Sequence, residues 1–161
     1  MYPLDSNKFS RAPILIIGIG NEYRRDDGVG LIVVWQLKKR LPPRCTVIEE
    51  TADGTLLMEH WKHSEVVLLV DATMSGRVPG SITRVDVQHE DVPNALLPVS
   101  SHALNIADTI KLARVMHQLP RRTIFYGVEG DQFDEGMGLT DRVSQSVPVV
   151  VQRIIEEVSS N

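Results

Sequence analysis

Two continuous apolar runs interrupt an otherwise mixed chain, Ile14 to Ile17 and Val66 to Val70. Each suits a strand covered on both faces, and each is far too short to cross a membrane. The first run breaks at Gly18 and Gly20. After Asn21 and four polar or charged residues come Asp26, Asp27 and Gly28, and then Val29, Ile32, Val33 and Leu37 at helical spacing. This order predicts a strand, a glycine turn, paired acids and a helix from about Asp27 to Lys39. Lys38, Lys39 and Arg40 suit the negative end of that helix, and Pro42-Pro43 stops it. A second strand is predicted at Cys45 to Glu49, a loop at Thr51 to Gly54, a helix at Thr55 to Lys62, and a third strand at Val66 to Val70 that ends in Asp71.

The second half is less regular. Ser81 to Val87 alternates in the manner of a half-exposed strand, and His89 to Ser100 is broken by Pro93 and Pro98. Ser100-Ser101-His102 is expected to open an apolar helix, with a serine as N-cap and His102 in the first turn. Ile124 to Val128 reads as the last strand and Glu129 to Gly138 as an acidic, glycine-punctuated loop. The closing helix carries Val143, Val147, Val150, Val151, Ile154 and Val158 as one stripe, and Pro148 predicts a kink or a late start. Strands alternating with helices predict an α/β protein. The expected architecture is a three-layer αβα sandwich around a mainly parallel sheet of about five strands, forming one domain over residues 14–161 after a flexible lead-in at 1–13.

Composition narrows the function classes. With 161 residues, 42% hydrophobic and 24% charged, the chain can bury one sizeable core. A formal net charge of -4 lacks the basic excess that phosphate contacts require, so neither a nucleic acid nor an anionic membrane is expected as partner. Met1 to Pro13 holds no apolar core of signal-peptide length, which gives the expectation of a cytoplasmic protein. Cys45 is the only cysteine, leaving no disulfide framework and no thiolate zinc site. It is expected to be a small buried hydrophobe.

Gly18-Ile19-Gly20 after a first strand begins like a dinucleotide fingerprint. That fingerprint requires a third glycine at position 23 and an uncharged helix start facing pyrophosphate. Position 23 is Tyr, and two acids stand where the phosphates would sit. One of Asp26 and Asp27 is expected to cap the helix, which frees the other to be a ligand or a base. In open parallel sheets ligands bind at the carboxyl edge, so Asp27 and Asp71 are expected on the same side. His102, held neutral near a helix N-terminus, keeps a lone pair for a metal. Two acids and an imidazole make a three-ligand divalent-metal site with open positions. His60 and His63 share a helix face but lack a third ligand, and are read as solvated. No H-E-x-x-H helix or G-x-S-x-G elbow competes.

The sequence resembles the hydrogenase maturation proteases, endopeptidases that trim the C-terminus of the large subunit of nickel-iron hydrogenases. The resemblance lies in Gly18-Ile-Gly-Asn21 followed by Asp26-Asp27-Gly28-Val29-Gly30, then Val70-Asp71-Ala72, then Ser100-Ser101-His102 with Asp108 six residues on, then Tyr126-Gly127-Val128-Glu129. It implies that Asp27, Asp71 and His102 are both the metal-recognising and the catalytic residues. It also implies that nickel arrives already loaded in the precursor, and that the partner is that large-subunit precursor. The peptidase class, aspartic-type or metal-dependent, stays open, as do the hydrogenase served, the cleavage point and the oligomeric state. The chain departs from the family's usual pattern at Glu49-Glu50-Thr51-Ala52 and at Glu129-Gly130, loops expected to touch the substrate. Two other classes remain in view: a non-catalytic Rossmann-like module for a nucleotide or peptide, and a nickel metallochaperone.

Overall fold

A computed structural model describes residues 13–51, 54–96 and 105–161. Nine regular elements occur among them: β1 Ile14–Ile19, α1 Val29–Leu37, β2 Cys45–Glu50, α2 Gly54–Trp61, β3 Val66–Thr73, β4 Ile82–Asp86, α3 Ile106–Val115, β5 Arg122–Glu129 and α4 Asp141–Ser159. The five strands form one sheet in the order β2-β1-β3-β5-β4, parallel throughout except for β4, which runs antiparallel to β5. The apolar runs therefore became the central strands β1 and β3, in which every residue is buried. The mixed sequences became the edges β2 and β4, which face water on one side.

Side-chain alternation assigns the two faces. Ile14, Ile16, Val66, Leu68, Val70, Ile124 and Tyr126 pack with α1 and α4, whereas Leu15, Ile17, Val67, Leu69 and Phe125 pack with α2 and α3. The result is the expected three layers. The stripe on α4 is buried as predicted, from Val143 to Val158. Pro148 does not delay this helix, which starts at Asp141 and runs through the proline.

Three local readings change. The first helix starts later than its acids: a 3₁₀ turn spans Arg25–Gly28, and α1 follows at Val29. The third strand does not end at Asp71, because its ladder with β5 continues through Asp71 with Gly127, Ala72 with Val128 and Thr73 with Glu129. The helix expected to open at the serines, α3, begins at Ile106. Its N-cap is Asn105, whose side chain accepts a hydrogen bond from the Asp108 N–H at 2.8 Å. Ser100, Ser101 and His102 lie outside the described residues.

Candidate active site

The carboxyl edge of β1 and β3 is built around glycines. Gly20 has φ 149°, and a Cβ there would lie 1.9 Å from the Asp27 carbonyl oxygen, so only glycine lets the chain fold back this tightly. A Cβ on Gly30 would lie 2.4 Å from the carbonyl oxygens of both Ile19 and Val70. The first turn of α1 thus sits directly over the seam between the two central strands. Asp27, just before it, is carried toward the carboxyl-terminal part of β3, in which Asp71 stands. This seam is also where the chain order reverses, β1 connecting to β2 on one side and lying beside β3 on the other.

The two acids sense each other. Asp71 is 7% exposed, and among the described residues its side chain accepts one hydrogen bond, from the Ala72 N–H at 2.8 Å. Burial, and then the negative charge of Asp27, push its carboxyl well above the usual range, against that single bond. Burial also raises Asp27, which is half-buried, with partial relief from the Arg24 charge and the Asn21 N–H. Burial disfavours the ionisation of both carboxylates, the Asp27 charge adds to this at Asp71, and a cation would relieve both. Their oxygen donors suit a hard or borderline divalent ion. Among the described residues no group of three His, Cys, Asp or Glu could hold a metal. The third residue of the sequence reading, His102, falls outside them. The described chain resumes at Asn105, the N-cap of α3. Because α3 leads by a short turn to the start of β5, its own start lies at the carboxyl edge.

Asp26 corrects the capping expectation. Neither the 3₁₀ turn nor α1 has a side-chain cap. The fully buried Asp26 carboxylate instead accepts from the Asp131 N–H (2.9 Å), the Gln132 N–H (3.0 Å), the Thr140 N–H (2.7 Å) and the Thr140 hydroxyl (2.9 Å). Burial opposes its ionisation, yet these four bonds hold its carboxyl below the ordinary value. Backbone bonds from Arg25 to Gly136, Gly136 to Tyr23 and Asp26 to Gln132 complete the seam. Asp26 therefore fastens the loop between β5 and α4 beside Asp27.

Glu129 is likewise no substrate-facing loop residue. It ends β5, is 2% exposed, and turns its carboxylate onto the chain after Asp71. Glu49 and Glu50 belong to β2, where Glu49 pairs with Lys38 and Glu50 with His60 at 2.7 Å. His60 thus has a partner of its own. Cys45 is half-buried, and burial raises its thiol against the Arg44 charge. The interior roles of Asp26 and Glu129 had one signal in the sequence, an acid beside a buried strand or turn that must find donors.

A family model described as hydrogenase maturation protease matches residues 31–157, a span that includes Asp71 and His102 and begins four residues after Asp27. The chain is 25% identical over 146 residues to a hydrogenase 2 maturation protease of Escherichia coli, covering 88% of each. It is 24% identical over 155 residues to the hydrogenase expression/formation protein HupD of Rhodobacter capsulatus, covering 93% of this chain and 73% of that one. Among solved structures, the hydrogenase maturating endopeptidase HybD of E. coli shares the fold with a TM-score of 0.79 at 22% identity, over 91% of this chain and 92% of that one. The hydrogenase maturation protease HycI of Thermococcus kodakarensis does so with a TM-score of 0.68 at 22% identity, over 95% and 97%.

Proposed function

The chain belongs to the hydrogenase maturation protease family, and on that premise we propose that it is the endopeptidase that removes a C-terminal extension from the nickel-loaded precursor of a nickel-iron hydrogenase large subunit. What supports the reading is the close packing of the first turn of α1 on the carbonyls of Ile19 and Val70, which brings Asp27 near enough to Asp71 for its charge to be felt there. His102 is proposed as the third member, from the segment that leads into α3.

In this reading the nickel is part of the substrate, and Asp27, Asp71 and His102 are the groups that meet it. The metal would supply Lewis-acid polarisation at the peptide carbonyl or at a water. The chain's own contribution is a carboxylate with a raised pKa, positioned to take a proton from the attacking water and return it to the leaving amine. Asp71, walled in by the sheet end, holds its proton more firmly than Asp27, which suits the half-buried Asp27 to the base role. Tyr23, Met74 and Met137 stand exposed on the loops bordering the acids and would grip the extended peptide. We place this reaction in the cytoplasm as part of the proposal. Separately, no helix among the described residues is long and apolar enough to cross a membrane.

A nucleotide module is disfavoured, because Gly20 and Gly30 close the strand-helix seam against the chain's own carbonyls and the acidic Asp27 stands just before the helix start where phosphates would sit. The test is to incubate the protein with nickel-loaded and nickel-free large-subunit precursor and weigh the products. Cleavage is expected only with the loaded precursor, and only if Asp27, Asp71 and His102 are intact. Cleavage retained in all three Ala variants refutes the site. Tight nickel binding without cleavage supports the metallochaperone instead.

A further inference from the structure

We infer that Glu129 is a positioning residue for Asp71, one that gathers both ends of the loop after β3 so that Asp71 is presented at a fixed place on the rim. The inference rests on the proposed peptidase reading and deepens it.

Every polar atom of Glu129 that an observed bond reaches is bound to this loop or its flanks. Oε1 accepts from the N–H groups of Ser75 (2.7 Å) and Gly76 (2.9 Å), and Oε2 from the hydroxyls of Thr73 (2.7 Å) and Ser75 (2.9 Å). The main chain closes the far end: Gly80 N–H donates to the Glu129 carbonyl, and Glu129 N–H to the Ser81 carbonyl. Gly130 N–H donates to the Thr73 carbonyl. The loop from Met74 to Gly80 thus starts and ends on Glu129, whose carboxylate holds residues two to five positions past Asp71.

Four donors fill the carboxylate's acceptor sites. Glu129 therefore has nothing left with which to bind a metal or take a substrate proton, although it ends the strand beside Asp71. Among the described residues the Asp71 side chain has only the Ala72 N–H to orient it, so its placement depends on how the backbone from Ala72 to Gly76 is held.

The bond pattern makes the test selective. Oε1 faces only N–H donors, whereas Oε2 faces only hydroxyls, which can turn and accept. Glu129→Gln can keep all four bonds with its oxygen at the first place and its NH₂ at the second. Glu129→Leu removes every acceptor. Cleavage of the nickel-loaded precursor should stay within about twofold of wild type in Glu129→Gln. In Glu129→Leu it should fall by about 100-fold, chiefly in kcat, as expected when a reacting group is displaced by an ångström. Amide exchange at Ala72, Thr73, Ser75 and Gly76 should quicken in the Leu variant alone. If Glu129→Leu does not fold, Thr73→Val carries the same test, with faster exchange at Ser75 and a several-fold drop in kcat.

Wild-type cleavage by the Leu or Val variant overturns the inference, and so does a Gln variant as inactive as Asp71→Asn, which would make Glu129 a reacting group. If the wild-type protein cleaves no precursor, the peptidase reading fails by itself. The tether is then decided by amide exchange, and exchange unchanged by Glu129→Leu overturns it.

Discussion

Replacing Asp26 separates the structural acid from the chemical one. In Asp26→Ala three backbone N–H groups, those of Asp131, Gln132 and Thr140, lose their acceptor together with the Thr140 hydroxyl. The bonds are partly buried, so water can recover some of them, and a loss of about 1 kcal/mol for each backbone group gives about 3 kcal/mol in all. Asp26→Asn is informative because both carboxylate oxygens face N–H donors, Oδ1 that of Thr140 and Oδ2 those of Asp131 and Gln132. An amide NH₂ must then meet a donor wherever it turns, costing about 2 kcal/mol. Urea denaturation at neutral pH should rank wild type above Asn above Ala. Because the Asp26 carboxyl is depressed, its stabilisation is full above the ordinary 3.8 and is lost as pH falls through the folded value, so the gap to the Ala variant should close in acid. Variants within about 0.5 kcal/mol of wild type would show that the loop is held by something else.

Three further outcomes follow from the same geometry. Asp71→Asn should abolish cleavage and yet stabilise the metal-free fold by about 0.5–2 kcal/mol, since it relieves a buried, repelled carboxylate. The Asp71 carboxyl is raised, so this gain should be absent below pH 3.8 and grow as the pH rises above it, as paired thermal melts across pH would show. Gly30→Ala places a methyl 2.4 Å from two backbone oxygens that cannot move independently of the sheet, and should cost about 3 kcal/mol or prevent folding, read by circular dichroism. Glu129, like Asp26, has its carboxyl lowered by its donors against burial, so acid unfolding of the wild-type protein should begin as the pH falls through the carboxylate range and should shift to higher pH if either tether is weakened.

The layers were legible because they depend on local periodicity. Runs as apolar as Ile14–Ile17 and Val66–Val70 can only be central strands, and the valine stripe of α4 can only face a core. What the pattern missed depends on partners distant in sequence. Asp71 reads as a strand end because the apolar run stops there, but pairing with Gly127 carries the ladder two residues further. Asp26 reads as a cap because caps are local, while its actual donors lie 105 to 114 residues away. Several cap-competent residues precede the third helix, and only the Asn105 to Asp108 bond selects among them. The antiparallel sense of β4 has no local signature either. The pairing of Asp27 with Asp71 was accessible in advance because it needs only two parallel strands and the glycines that let a helix settle between them.

We propose that Asp27, Asp71 and His102 meet around one ion. Crystals of the protein with nickel, measured at the nickel absorption edge, test it directly. A single anomalous peak bounded by the two carboxylates and the His102 imidazole, lost in Asp71→Asn, is the predicted result. A peak elsewhere, or an imidazole turned away from both acids, would contradict it.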